Sequence, residues 1–281
     1  MPIRFRYEEE CAVSRALEGK VAVVIGAGAC GPGWSNGKAC AVAYARAGAS
    51  VLAVDFMFDR AEETVRIISS EGNVARPFRA DATREQDVEA AMAYAVSTLG
   101  GIDIVHNNVG MGGAGGSAHE TELAVWNHEL SVSLTSAFLG VRTAIPHLRA
   151  RGGGAIVNTS SIAAVRFMKR GRVAYSVAKA GVETLTRVCA ADYGPDNIRV
   201  NCIRIGFSDM PQEHQAYEAI GIRDEALAAL LAETAQRVPL RHERTQPWGI
   251  ASAAVFLASE AARDITGVIL SVDGGLEVAT L

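Results

Sequence analysis

Seven short apolar runs alternate with longer stretches of helical periodicity along this chain, and few folds accommodate that rhythm. The runs are VAVVI (21–25), SVLAVD (50–55), ARPFRAD (75–81), IDIVHNN (102–108), GAIVNTSS (154–161), IRVNCIRI (198–205) and GVILSVD (267–273). Between them, apolar residues recur every three to four positions over 36–47, 59–71, 85–99, 123–150, 175–194 and 247–259. Runs without in/out alternation suit strands covered on both faces, and strands joined through helices pair in parallel. The expectation is a Rossmann-like α/β fold, one doubly wound parallel sheet of about seven strands in a single domain at 20–281. Residues 1–19 are polar and of mixed charge, and are read as an N-terminal extension. The segment 207–246 breaks the rhythm with polar residues and two prolines, which predicts an insert near the substrate.

Composition narrows the function. The chain has 281 residues, 49% hydrophobic, enough to bury a core of its own. A formal net charge of −4 argues against a general nucleic-acid binder, which needs a basic face. No run approaches the roughly 20 apolar residues of a membrane helix. The opening MPIRFRYEEECAVSRALEGK holds no apolar leader core. Five scattered cysteines without a C-x-x-C read as reduced thiols, and six histidines share no metal-ligand spacing. These features predict a cytoplasmic protein with no metal site, binding neither nucleic acid nor membrane.

After the first run comes GAGACGPGWSNGK. Gly26, Gly28 and Gly31 spell the dinucleotide fingerprint G-x-G-x-x-G, in which the third glycine opens a helix. Here Gly31 is followed by Pro32 and Gly33, which disfavour a helix start, whereas Ser35 or Asn36 is a good N-cap. The literal fingerprint is therefore a decoy in register within a longer loop whose helix still presents amides to a pyrophosphate. Asp55 ends the second run, where a carboxylate accepts hydrogen bonds from ribose hydroxyls and repels a 2′-phosphate. No arginine follows it directly, Arg60 being the nearest, so NAD is favoured over NADP. Trp34 either shields the pyrophosphate or packs the enlarged loop.

Tyr175 and Lys179 stand four apart in VAYSVAKAG, on one face of a predicted helix. A cation beside a phenol favours phenolate and brings it towards useful acid/base range. Together with DAT (81–83), NNVG (107–110), VNTSS (157–161), YSVAK (175–179), IRVNCI (198–203) and LASEAARDITGVILSVDGG (257–275), this chain resembles the short-chain dehydrogenase/reductase family over roughly residues 18–277.

The resemblance implies a set of roles. Tyr175 is the general acid/base, Lys179 lowers its pKa and binds the nicotinamide ribose, and Ser161, with Ser160 as the competing choice, holds the substrate oxygen. Asp55 clamps the adenosine ribose, Asp81 and Ala82 the adenine, and Asn108 the cofactor at the fourth strand; the backbone at Ser208 faces the nicotinamide amide. The family's phosphate loop is five residues shorter, which puts pyrophosphate contacts around Gly26, Ser35, Asn36 and Gly37. Where the family carries an asparagine that holds a water behind the lysine, this chain has Ser133. Ile205 and Met210 stand in the places of the proline and threonine of PGxxxT.

These roles imply an NAD-dependent oxidoreductase interconverting a small-molecule secondary alcohol and a ketone. A non-catalytic NAD-binding scaffold, or a lyase or epimerase on the same fold, stays open beside it. By resemblance the chain forms a homotetramer through 123–150, 175–194 and the C-terminal strand region. The basic cluster Lys169, Arg170 and Arg172 is read as an exposed loop rather than an anion site.

Overall fold

Each apolar run becomes a strand in the computed structural model, which describes residues 15–110, 116–166, 172–219 and 221–279. The strands are β1 (Val21–Ile25), β2 (Ser50–Asp55), β3 (Ala75–Arg79), β4 (Ile104–Asn107), β5 (Gly154–Ser161), β6 (Ile198–Ile205) and β7 (Ile269–Val272). They form one parallel sheet in the order β3-β2-β1-β4-β5-β6-β7. Helices α1 (Asn36–Arg46), α2 (Phe58–Ser70), α3 (Glu85–Leu99), α4 (Leu123–Leu130), α5 (Ser136–Ala150), α6 (Val173–Tyr193), α7 (Pro211–Ala219), α8 (Asp224–Gln236) and α9 (Pro247–Ala258) connect them. The chain winds outward from β1 to β3, then crosses back to place β4 on the other side of β1. Such a reversal opens a crevice at the carboxyl ends of β1 and β4.

Successive strand residues feed opposite faces, so each run builds two cores. Ala22, Val24, Val51 and Ala53 join Ala41, Tyr44, Ala61, Ile250 and Leu257 of α1, α2 and α9. Val23, Ile25, Leu52 and Val54 join Met92, Leu139, Leu148 and Ala190 of α3, α5 and α6. Covering both faces explains why the runs lack a polar alternation. Leu17 is buried in the first core and its N–H bonds Ala47 O at 2.9 Å, so the last residues of 1–19 pack on the domain; Glu8, Glu9 and Glu10 lie outside the described residues.

The predicted helix over 123–150 is interrupted. Ser131–Thr135 forms a π-turn between α4 and α5, with Ser133 fully buried. Single π-turns inside α-helices concentrate at functional sites. Segment 207–246, read as an insert, carries α7 and α8.

Candidate active site

The first loop is built around one serine. Ser35 caps α1 by accepting from Lys38 N–H at 3.0 Å, and its hydroxyl donates to Gly28 O at 2.7 Å, closing the base of the enlarged loop. The helix thus begins at Asn36, while Gly31 (φ +104°) and Gly33 (φ +111°) sit in the excursion in a left-handed conformation that other residues resist. Gly31 does not open the helix, as its proline neighbour implied. The ring of Trp34 meets Trp248 edge-on at 4.7 Å, which decides between the two roles left open: it packs the loop against α9. Gly37 departs from its expected role. It does not line the cleft; a Cβ there would collide with Gly26 O, so it permits the close approach of α1 to the β1 turn.

A cleft of about 930 Å³ opens at the carboxyl ends of the central strands, and it gathers most of the predicted positions. Gly26, Ser35, Asn36, Asp55, Asp81, Ala82, Asn108, Ser161, Tyr175, Lys179 and Ser208 all line it. Ser133 does not; it lies buried behind Lys179. Asp55 accepts from Gly28 N–H at 2.9 Å and Met57 N–H at 3.0 Å. Asn108 donates to Gly26 O at 3.0 Å, tying β4 to the loop. Asp81 accepts from the N–H and hydroxyl of Thr83. Ser208 donates to Asn36 Oδ1 at 3.2 Å, which fastens the start of the insert to the start of α1.

Tyr175, Ser161 and Lys179 converge. Ser161 ends β5 and lines the cleft close enough to Tyr175 to act on its phenol, whereas Ser160, also in the lining, turns its hydroxyl to Lys179 O and Glu183 Oε1, at 3.1 and 3.0 Å. Part of the loop between Ser161 and Tyr175 (167–171, with Lys169 and Arg170) lies outside the described residues. Lys179 Nζ donates to Thr159 O at 2.9 Å and Val109 O at 3.4 Å, and stands 5.9 Å from the Tyr175 ring centroid. Burial holds Lys179 down at about 8. Tyr175 differs from expectation: burial raises its phenol above the ordinary value, outweighing the Ser161 hydrogen bond and the Arg172 charge that act to lower it. Desolvation penalises a phenolate more than its neighbours repay.

Several residues of this cleft were not singled out beforehand as parts of it: His128, Gln212, Glu213 and Tyr217. Glu129, buried beside the site, acts electrostatically on Tyr175 and Lys179. Arg172, read as part of an exposed loop, belongs to the cleft wall as well; its spacing of three from Tyr175, one helical turn, was the available signal. His106 is structural, buried between Tyr44 Oη and Thr159 Oγ1 and pushed down to about 3 by that burial. Among the described residues no group of His, Cys, Asp and Glu could hold a metal, and no helix is long and apolar enough to cross a membrane.

A parallel sheet with this strand order, a glycine loop at its switch point and a phenol–amine pair beside it define a dinucleotide-dependent oxidoreductase. A family model described as enoyl-(acyl carrier protein) reductase matches residues 33–277. The chain is 34% identical to cis-4-hydroxycyclohexanecarboxylate dehydrogenase of Sinomonas cyclohexanicum, over 94% of this chain and 98% of that protein. It is 34% identical to 7α-hydroxysteroid dehydrogenase of Escherichia coli K12, over 92% and 94% of the two chains. A solved 7α-hydroxysteroid dehydrogenase, complexed with NADH and 7-oxo glycochenodeoxycholic acid, superposes with a TM-score of 0.82 at 34% identity, covering 93% of this chain and 96% of that one. The chain belongs to the short-chain dehydrogenase/reductase family and is an oxidoreductase acting on CH–OH groups.

The family implies a nicotinamide cofactor, and the residues present fit one. At Gly28 a Cβ would collide with Arg60 Cβ and Asp55 Oδ2, so the glycine lets the loop backbone close on the Asp55 carboxylate, and both line the cleft. At Gly110 a Cβ would come within 2.5 Å of Lys179 Nζ, so the glycine lets the amine lie against the end of β4, in the cleft.

Proposed function

We propose that the chain is an NAD-dependent dehydrogenase of small secondary alcohols, with Tyr175 as general acid/base. The observation that carries this reading is the convergence of the Tyr175 hydroxyl, Ser161 Oγ and the Lys179 ammonium in one cleft. The bound nicotinamide supplies the hydride acceptor for oxidation and the donor for reduction. Ser161 holds the substrate oxygen and steadies its developing charge, while Tyr175 takes the hydroxyl proton, or returns it to a carbonyl. Lys179 is anchored by two carbonyls, leaving its remaining donor to orient a ribose hydroxyl. Ser133, one layer further in, supports the lysine from behind.

Gly26, the first turn of α1 at Ser35 and Asn36, and Asn108 shape the pyrophosphate cradle. Asp55 binds the adenosine ribose, and Asp81 and Ala82 border the adenine. The Asp55 carboxylate at the mouth of that cradle supports NAD over NADP. The relatives that oxidise ring hydroxyls support an alcohol–ketone couple. We further propose a homotetramer in the cytoplasm; the latter rests on cysteines 30, 40, 189 and 202, all free thiols.

The test is Tyr175→Phe, assayed by NADH absorbance against a panel of secondary alcohols with NAD and with NADP. Turnover should fall by about 10²- to 10⁴-fold, the usual worth of a positioned proton-transfer group, with NAD affinity retained by calorimetry. Wild-type enzyme should prefer NAD. Substantial activity remaining in the phenylalanine variant would overturn the assignment.

A further inference from the structure

The dehydrogenase reading leaves open what the rest of the alcohol carries, and the cleft wall beside Tyr175 has a charge that this reading does not use. We propose that the substrate is an anionic secondary alcohol, a small hydroxy acid, and that Arg172 receives its carboxylate while Tyr175 and Ser161 engage its hydroxyl. This rests on the assignment of Tyr175 as the acid/base.

Arg172 immediately precedes α6 and stands one turn before Tyr175, so the two side chains leave the same end of the same helix. Both line the cleft. The main chain of Arg172 is held by a bridge to Gly116, which fixes where its side chain starts. Its positive charge reaches Tyr175, Glu213 and Tyr217, placing the guanidinium among the groups that surround a substrate.

The neighbouring charges do not cancel it. Glu213 is the carboxylate of this end of the cleft, and it is in direct contact with the other arginine, Arg244. Arg244 is buried and committed, donating also to Ser208 O at 2.7 Å and Thr234 Oγ1 at 3.0 Å. Glu213 is thus paired with Arg244, and among the described residues no carboxylate forms an ion pair with Arg172. Asp55, Arg60 and Asp81 belong to the adenosine end; Glu129 and Cys202 face Lys179 from behind. His128 completes the titratable groups at the substrate end.

A second feature points to a polar ligand. Gln212 lines the same wall from α7, and its side-chain Oε1 is buried without a hydrogen-bond partner among the described residues. A buried amide end of this kind is costly unless a ligand satisfies it, and amide oxygen and nitrogen exchange places by a simple flip. Turned over, Gln212 presents an N–H to the cleft that Arg172 also lines. A planar guanidinium with an amide donor in the same cleft is suited to an oxyanion.

The experiment compares hydroxy acids with their own methyl esters, so that only the charge changes. 3-Hydroxybutanoate, 4-hydroxypentanoate and 4-hydroxycyclohexanecarboxylate are assayed with NAD beside the esters and beside cyclohexanol. The best acid should exceed its ester by about 10-fold or more in kcat/KM, chiefly through KM, because the anchor is remote from the reacting carbon. In Arg172→Gln the acid-to-ester ratio should fall towards one, and Arg172→Lys should restore part of it. Raising the salt concentration should also narrow the ratio in the wild type, a measurement that needs no variant. Acids and esters oxidised equally well by the wild type would overturn the proposal and leave the dehydrogenase reading intact. A ratio retained in a folded Arg172→Gln would overturn the role of Arg172. Turnover of no alcohol at all would bring down both this proposal and the function beneath it.

Discussion

Lys179 shows how much of this site was readable at the residue scale and where reading stopped. The Y-x-x-x-K spacing placed phenol and amine on one helical face, and Ser161 and Asp55 followed because each ends a strand whose run is legible. The direction of the Tyr175 shift was not, because it depends on how much water the folded cleft removes. Nor was the presence of Arg172 and Glu213 in one cleft wall, reached from the α6 cap and from the α7 insert. The buried lysine has a measurable consequence. Its pKa in the fold, about 8, lies below the ordinary 10.5 that the unfolded chain adopts. Between those values the unfolded state binds more protons, so this group's penalty on folding is full below pH 8 and is relieved as pH rises towards 10.5. Lys179→Met removes the penalty altogether. Urea unfolding should therefore show the variant gaining on the wild type at pH 7 relative to pH 10, by roughly 2–3 kcal/mol at 1.36 kcal/mol per pK unit. An equal gap at the two pH values would mean that the amine is not desolvated as the structure has it.

At the scale of elements, the rhythm of runs and helices was enough to place every strand, because a sheet buried on both faces writes itself as continuous apolar sequence. Two things escaped it. The π-turn at Ser131–Thr135 leaves no mark in an apolar pattern that simply continues, and the tie between α6, β6 and the C-terminal turn is polar. Arg204 on β6 donates from Nε and Nη2 to both oxygens of Glu183 on α6, each at 2.7 Å, and from Nη1 to Glu277 at 2.5 Å. Ser160 adds a bond to Glu183, so the strand that ends in Ser161 and the helix that carries Tyr175 are fastened one turn beyond the chemistry. Side chains of Arg204 and Glu183 are 7% and 6% exposed, which makes a broken pair costly while an apolar replacement of both need not be. Glu183→Leu alone should destabilise the fold by about 3–5 kcal/mol, and the double variant Glu183→Leu, Arg204→Met should recover much of that loss in the same denaturation assay. Additive losses would show that the pair acts through packing and not through its charges.

The molecule as a whole leaves apolar side chains outside, some of them on α5, on α6 and near the C-terminal strand. Phe138 on α5 and Val177 and Val188 on α6 are 43%, 44% and 52% exposed. Val177 and Val188 lie eleven residues apart, three turns of helix, and so share one face. Phe256, Val268 and Val278, in the C-terminal part of the chain, are exposed as well. Two such regions on one chain would suit the two kinds of two-fold contact of the proposed tetramer; Phe138, Val177 and Val188 lie within the segments that the family resemblance assigned to interfaces, whereas Phe256 lies on α9 outside them. A two-fold contact sets each residue near its own copy or that copy's neighbours, so a single acidic substitution introduces like charges twice into a closed apolar surface. If the proposed tetramer forms, Val188→Glu should lower the sedimenting species from tetramer to dimer at micromolar protein, the other proposed face, at Phe256 and Val278, being untouched. Substitution of Phe256 by Glu should act on the other pair, and the two changes together should give monomer. A wild-type chain that sediments as a monomer at these concentrations would refute the assembly, since it would show that both faces are stable in water.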